Sequence, residues 1–440
     1  MFSGLKIWKW FVFIVGVLAL TSGQLHAQAT LLLEEPYSYD GEFAGTGHAA
    51  VYLSRVCADA PTVLRRCAPG ENGVVISRYH RVAGRDWIAI PLMPYLYAVD
   101  TAEDIPLVAD RKVVDFLRQQ YLEKIGITES DGYQLAGSAY DRTTYGFRIA
   151  TRPAQDDELI QILNSSPNKE SYKLLSRNCA DFAKKIINFY YPKSIHRSII
   201  ADLGVTTPKQ SAKSLVHSAK RHPEMQLTTF IIPQVPGLKR SKPVHGVIES
   251  LVLAKKYVTP VLFFHPVLVG TVEAAYWAGW RFNPGKGAMI FNANTSHSSN
   301  GDLSAALERP LSAAERRSYE KSISAIRQEN NDSALEDWRK LQPSAEPQFD
   351  AEGRPVLQVQ MEGRSFQVGI CRGNALRLNA PPELAEQLLF SRLTQELKAS
   401  NPARISEQQV KADWTLLKRA FEAQEAGLLN DIELSNYGSR

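Results

Sequence analysis

Between Thr30 and Tyr191 the chain places short runs rich in β-branched and aromatic residues, GHAAVYL, GVVISRYH and WIAIPL, between Gly, Pro and Asn punctuation. Such runs read as strands of an antiparallel sheet, and helical patterns follow them. VADRKVVDFLRQQYLEKIG carries Val113, Val114, Leu117, Tyr121 and Leu122 as one stripe and stops at Gly126. TTYGFRIA then reads as a strand, DDELIQILNSS as a helix with an acidic first turn, and SRNCADFAKKIINFYYP as a helix ended by Pro192. This order of elements predicts an α+β domain over residues 30–200. Composition agrees, since 44% hydrophobic and 22% charged residues in 440 exclude a disordered, collagenous or polytopic membrane chain. A formal charge of +5 is too small to argue for nucleic acid as a partner.

Residues 1–29 have the pattern of a signal peptide. Lys6 and Lys9 precede FVFIVGVLAL, and Ala27-Gln28-Ala29 offers a small-x-small cleavage site. The rest of the chain is therefore expected in the periplasm or cell envelope. In an oxidising compartment Cys57 and Cys67, nine residues apart in a polar, turn-rich stretch, are candidates for a disulfide, with two unrelated thiols as the alternative. Cys179 and Cys371 then remain. None of the four lies in a CxxC pair, so neither a metal framework nor a cofactor is expected.

Beyond residue 200 the pattern changes. Thr207 and Pro208 open a short helix, and Lys209 to Lys256 holds nine Lys or Arg against Glu224 and Glu249. This basic stretch runs into YVTPVLFFHPVLVGTVEAAYWAGW, residues 257–280. Pro260, Pro266, His265 and Glu273 argue against a membrane span there. Residues 201–300 are therefore read as a basic and apolar helical region, with 209–280 as a candidate for membrane-surface contact. Residues 301–346 read as a charged helical linker. PVLQVQME and SFQVGICR flank Gly363 as a hairpin, and two amphipathic helices complete a small α+β domain at 347–440.

Cys179 is the residue through which chemistry is expected. It opens a helix whose apolar face is Phe182, Ala183, Ile186, Ile187 and Tyr190. A helix N-terminus and a nearby imidazolium would lower its thiol pKa and activate it as a nucleophile. His48, on a strand with Ala50 and Tyr52, is the natural base, and the Cys179 helix is expected on the face those three share. A buried structural cysteine and a satisfied structural histidine are the alternatives.

Gly47-His48 followed by AAVYL, and Asn178-Cys179-Ala180-Asp181-Phe182 opening a later helix, resemble the circularly permuted NlpC-like cysteine hydrolases. That superfamily includes lecithin:retinol acyltransferase-like enzymes and Lnb N-terminal periplasmic domains, and TTYGFRIATRPAQDDELIQILNSSPNKESYKLLSRNC is similar to the latter. The resemblance covers roughly residues 30–195. It implies a permuted papain-like domain with an antiparallel sheet and a nucleophile helix, and a Cys179–His48 dyad. The expected activity is thiol hydrolysis or acyl transfer on an amide or ester of an envelope peptide, glycan or lipid. Chain order points to His80 as the residue that orients the imidazole, Tyr79 and Ser77 lying on the opposite strand face. The rival reading is a catalytically silent envelope protein that binds or assembles.

Overall fold

The computed structural model describes residues 27–37, 46–253, 265–270, 282–293, 303–321 and 340–371, with short interior breaks. The expected helices of 372–440 and most of the 257–280 run lie outside the described residues. No helix among the described residues is long and apolar enough to cross a membrane.

The fold is α+β. Its centre is strand β1 (Ala27–Glu34), all eight residues of which are buried. β1 pairs antiparallel with β2 (His48–Leu53) on one side and β7 (Thr144–Thr151) on the other. β5 (Val74–Ser77) and β6 (Ile88–Pro91) extend the sheet beyond β2. β8 (Thr228–Ile232), β9 (Met289–Phe291) and β10 (Leu307–Glu308) extend it beyond β7. The eight strands run β10-β9-β8-β7-β1-β2-β5-β6, and only β8–β9 is parallel. The sheet thus takes strands from well past residue 200, where the sequence pattern placed a domain boundary.

Both faces of the sheet are covered, so every residue of β1 is buried and Leu31, Leu32 and Leu33 follow one another without polar alternation. Leu32, Ala50, Tyr52, Val75 and Phe230 face one core. It is closed by α1 (Leu92–Tyr97), α2 (Arg111–Lys124), which Asp110 caps, and α3 (Ser138–Asp141). Leu31, Leu33, Ala49, Val51, Leu53 and Ile149 face the other. There α4 (Pro153–Ser165), α5 (Cys179–Tyr190) and α7 (Pro208–Ala219) supply Leu159, Phe182, Ile186 and Leu215. Between α5 and α7 lies the short α6 (Ile199–Asp202). The hairpin of β12 (Pro355–Met361) and β13 (Arg364–Gly369) forms as expected, joined by β11 (Glu346–Phe349). Its Leu357, Val359 and Val368 pack into the same core as α2.

A disulfide joins Cys57 to Cys67. It closes the hairpin of β3 (Val56–Ala60) and β4 (Val63–Arg66), between the strand of His48 and the strand of Ser77, as the sequence suggested. Cys179 and Cys371 are buried thiols outside any disulfide, and the Cys371 thiol points at the Asp104 carbonyl, 3.1 Å away. Ala27 and Ala29 are fully enclosed, and Gln28 exchanges two hydrogen bonds with Ser54. A cut after Ala29 would therefore remove paired residues from the central strand.

Candidate functional site

The site forms where β5 leaves the ladder. β2–β5 pairing runs from Leu53↔Val74 to Val51↔Ile76, so the β5-facing backbone of Ala49 is taken up by other groups. Its carbonyl accepts a hydrogen bond from Ser77 Oγ at 3.0 Å, and its N–H is directed at the Cys179 thiol. The preceding Gly47 has φ +69°, and a Cβ there would lie 2.1 Å from the Glu34 carbonyl oxygen. Glycine is thus required for β2 to start against the end of β1, which fixes the entry of His48.

Cys179 is set by its helix cap. The Asn178 side chain accepts from the Asp181 N–H at 2.9 Å and donates to the carbonyls of Leu174 (2.9 Å) and Thr206 (3.0 Å). The Asp181 carboxylate accepts from the Asn178 N–H in return, closing a capping box. The thiol is left facing the N–H groups of Ala49, Ala180 and Cys179 itself. These three amides favour the thiolate, but burial outweighs them and pushes the thiol up to about 11. The lowered pKa expected from the helix start is not found, because no imidazolium stands nearby to offset desolvation.

His48 is kept neutral. Burial and the Arg142 cation push its imidazole down to about 3. Its Nε2 lies 2.7 Å from Ser77 Oγ. Because the Ser77 proton is already given to the Ala49 carbonyl, the imidazole donates from Nε2, and Nδ1 carries the free lone pair. Tyr79 stacks on the ring, with centroids 4.6 Å apart and planes at 18°.

A buried polar group that sequence reading missed lies behind the histidine. Glu34 is the β1 partner of His48 in register. Its carboxylate accepts from the Tyr95 hydroxyl and pairs with Arg142 at 3.0 Å. The Arg142 guanidinium lies over the Tyr37 ring. The only sequence signal for Glu34 is a pair of acids ending the apolar LLL of β1. Arg78 ties the end of β5 to α5, with its guanidinium over the Phe182 ring and 2.6 Å from Asp86.

Three expectations about the site are corrected. First, α5 packs on the face of Ala49, Val51 and Leu53, whereas Ala50 and Tyr52 belong to the opposite core. Cys179 meets the strand at the Ala49 amide, in the sheet plane. Second, burial raises the Cys179 thiol pKa instead of lowering it. Third, His80 is exposed and leans on Tyr172, with ring centroids 5.3 Å apart; Ser77 holds the His48 nitrogen. β5 ends at Ser77, so Tyr79 and His80 lie beyond the strand that the sequence pattern extends to His80; Ser77 and Tyr79 meet the His48 ring, whereas His80 turns to Tyr172. The face that looks at His48 depends on inter-strand register, which the sequence does not display.

Among the described residues the one cluster with metal-ligand spacing is Cys57, Cys67 and Glu71, and its two sulfurs are bonded to each other. No protein-family model matches the sequence, and no curated protein matches it. Among solved structures the chain is similar to the crystal structure of the type VI secretion system effector TseH, at 14% identity and a TM-score of 0.24. The match spans 48% of this chain and 95% of that one, a remote likeness that assigns no activity.

Proposed function

We propose that the chain is an extracytoplasmic cysteine hydrolase or acyltransferase acting on an amide or ester, with Cys179 as nucleophile, His48 as base and Ser77 as the group that orients His48. The observation that carries this reading is that the Cys179 thiol faces the amide of Ala49, the residue that follows His48 on β2, while the His48 Nε2 is committed to Ser77. The resting pair is uncharged. The Sγ proton therefore passes to His48 Nδ1 as sulfur adds to the substrate carbonyl, and the N–H groups of Cys179 and Ala180 face the oxygen on which charge develops. Collapse of the adduct breaks the bond to the amine or alcohol, which leaves with the proton from His48. A thioester on Cys179 remains, and water or an acceptor alcohol or amine resolves it while giving its own proton to His48. The oxidised Cys57–Cys67 pair supports the extracytoplasmic part of the reading. Envelope peptides, glycans and lipids are the substrate classes.

The test is labelling near neutral pH with a carbonyl-bearing electrophile, read by peptide mapping. Cys179 should be modified in the wild type and at least tenfold more slowly in His48→Ala, in line with the usual contribution of a general base. Equal labelling in the two proteins, or modification of Cys371 in place of Cys179, would overturn the dyad.

A further inference from the structure

Two turns held by the cap of α5 expose large apolar side chains. Lys173 to Arg177 is a tight turn, closed by Arg177 N–H on the Lys173 carbonyl at 2.8 Å, and it carries Leu174 and Leu175. The second is α6 with its end, presenting Ile199, Ile200 and Leu203. These five side chains are 64 to 80% exposed. Both turns are held by one helix cap, since Asn178 donates to the carbonyls of Leu174 and Thr206, and Arg197 spans Asp181 and Thr206. Leu203 also sits in left-handed backbone, φ 52°, with Gly204 next to it. Left-handed backbone is disfavoured for a residue that carries a Cβ.

The charge around these turns is of one sign. Residues 171–203 hold six Lys or Arg against Asp181 and Asp202. Both acids are engaged inward: Asp181 by Arg197 and Thr206, and Asp202, which is buried, by the Val247 N–H. Lys173, Arg177 and Lys193 are exposed. α8 (Val247–Leu253) packs against α6, and the chain continues from it into the apolar 257–280 sequence.

We propose that this rim docks on an anionic lipid bilayer surface, with the five apolar side chains entering the boundary between headgroups and acyl chains and Lys173, Arg177 and Lys193 facing lipid phosphates. Apolar tips beside exposed cations are the composition of a segment that lies in a membrane interface. The contact would set the N-terminal end of α5, which carries Cys179, toward the bilayer, and it stands independently of the acyl-transfer reading.

The test places an environment-sensitive fluorophore on the full chain in a Cys179→Ser background, at Leu175→Cys, Ile200→Cys or, as control, Val63→Cys, which is exposed on the β3–β4 hairpin. A local probe is needed because residues 1–26 hold their own apolar run. With vesicles of phosphatidylcholine containing about one-third phosphatidylglycerol, the probes at 175 and 200 should shift to the blue and be quenched by brominated acyl chains. The probe at 63 should not, and phosphatidylcholine alone or high salt should abolish the response. Lys173→Glu and Arg177→Glu should each weaken partitioning roughly fivefold. His48→Ala, which stops acylation, should bind vesicles as the wild type does, so the two readings fail separately. Probes at 175 and 200 that stay unshifted on anionic vesicles would overturn the proposal. So would a shift without lipid that grows with protein concentration, which would assign the rim to contact between copies.

Discussion

At the scale of residues, the site is defined by hydrogen-bond assignment more than by charge. Ser77 is the clearest case, because its hydroxyl satisfies the Ala49 carbonyl and fixes the tautomer of His48 at once. Ser77→Ala should fold, yet lower the acylation rate of Cys179 by roughly tenfold to a hundredfold. Ser77→Thr should restore part of the rate, which a purely structural role would not require. Two titrations follow from burial. His48 titrates near 6.5 in the unfolded chain and at about 3 in the folded one, so the unfolded state binds the extra proton between these values. Stability should be full above about pH 6.5 and fall by up to ~1.4 kcal/mol per pH unit as pH drops toward 3. Cys179 is raised from 9 to about 11, so its contribution is present below pH 9 and lost as pH rises toward 11. Denaturant melts of the wild type minus His48→Gln should isolate the acid limb, and minus Cys179→Ser the alkaline one. Flat difference curves would contradict the burial assigned to both groups.

At the scale of elements, the parts visible in the sequence are those whose cause is local. The stop of α2 at Gly126, the Thr207–Pro208 start of α7, the opening of α5 at Cys179 and the 355–369 hairpin all rest on neighbours within a few residues, and all agree with the sequence pattern. Ser77, Glu34 and Arg142 were not legible as site residues, because what joins them to His48 is pairing across β1, β2, β5 and β7. The start of β1 was hidden for a different reason. Ala27-Gln28-Ala29 satisfies a peptidase pattern and a buried strand equally well. A chain beginning at Thr30 should be about 2–4 kcal/mol less stable than one beginning at Ala27, since it loses backbone pairing and two enclosed alanines. The Cys57–Cys67 bridge closes a short loop, and its reduction should lower stability by about 3 kcal/mol on the chain-entropy model. Cys179 labelling should survive that reduction, because Arg65–Glu71, Arg66–Asp157 and the Asn164–Leu64 bonds still hold the β3–β4 hairpin.

At the scale of the whole molecule, one sheet serves two cores, and the site lies where the chain passes between them. His48 and Tyr79 belong to the side of α1 and α3, while Cys179 arrives with α5 from the other side. Segments far apart in sequence therefore support one site. Leu357, on the hairpin that packs against α2, is buried in the core that also contains Tyr79. Leu357→Ala should cost about 2–5 kcal/mol, and the described strands and helices should still melt in one transition in both proteins. A separate low-temperature transition in the variant would mean that the hairpin folds as an independent unit. The central claim is that Cys179 carries an acyl group which His48 helps to load and unload. Its most direct test is acid-quenched mass spectrometry of the protein during incubation with an activated acyl ester. The expected result is a transient adduct of the acyl mass on the peptide containing Cys179, rising and then decaying in the wild type and absent in Cys179→Ala and His48→Ala. An unmodified Cys179 throughout, or an adduct that forms equally without His48, would contradict it.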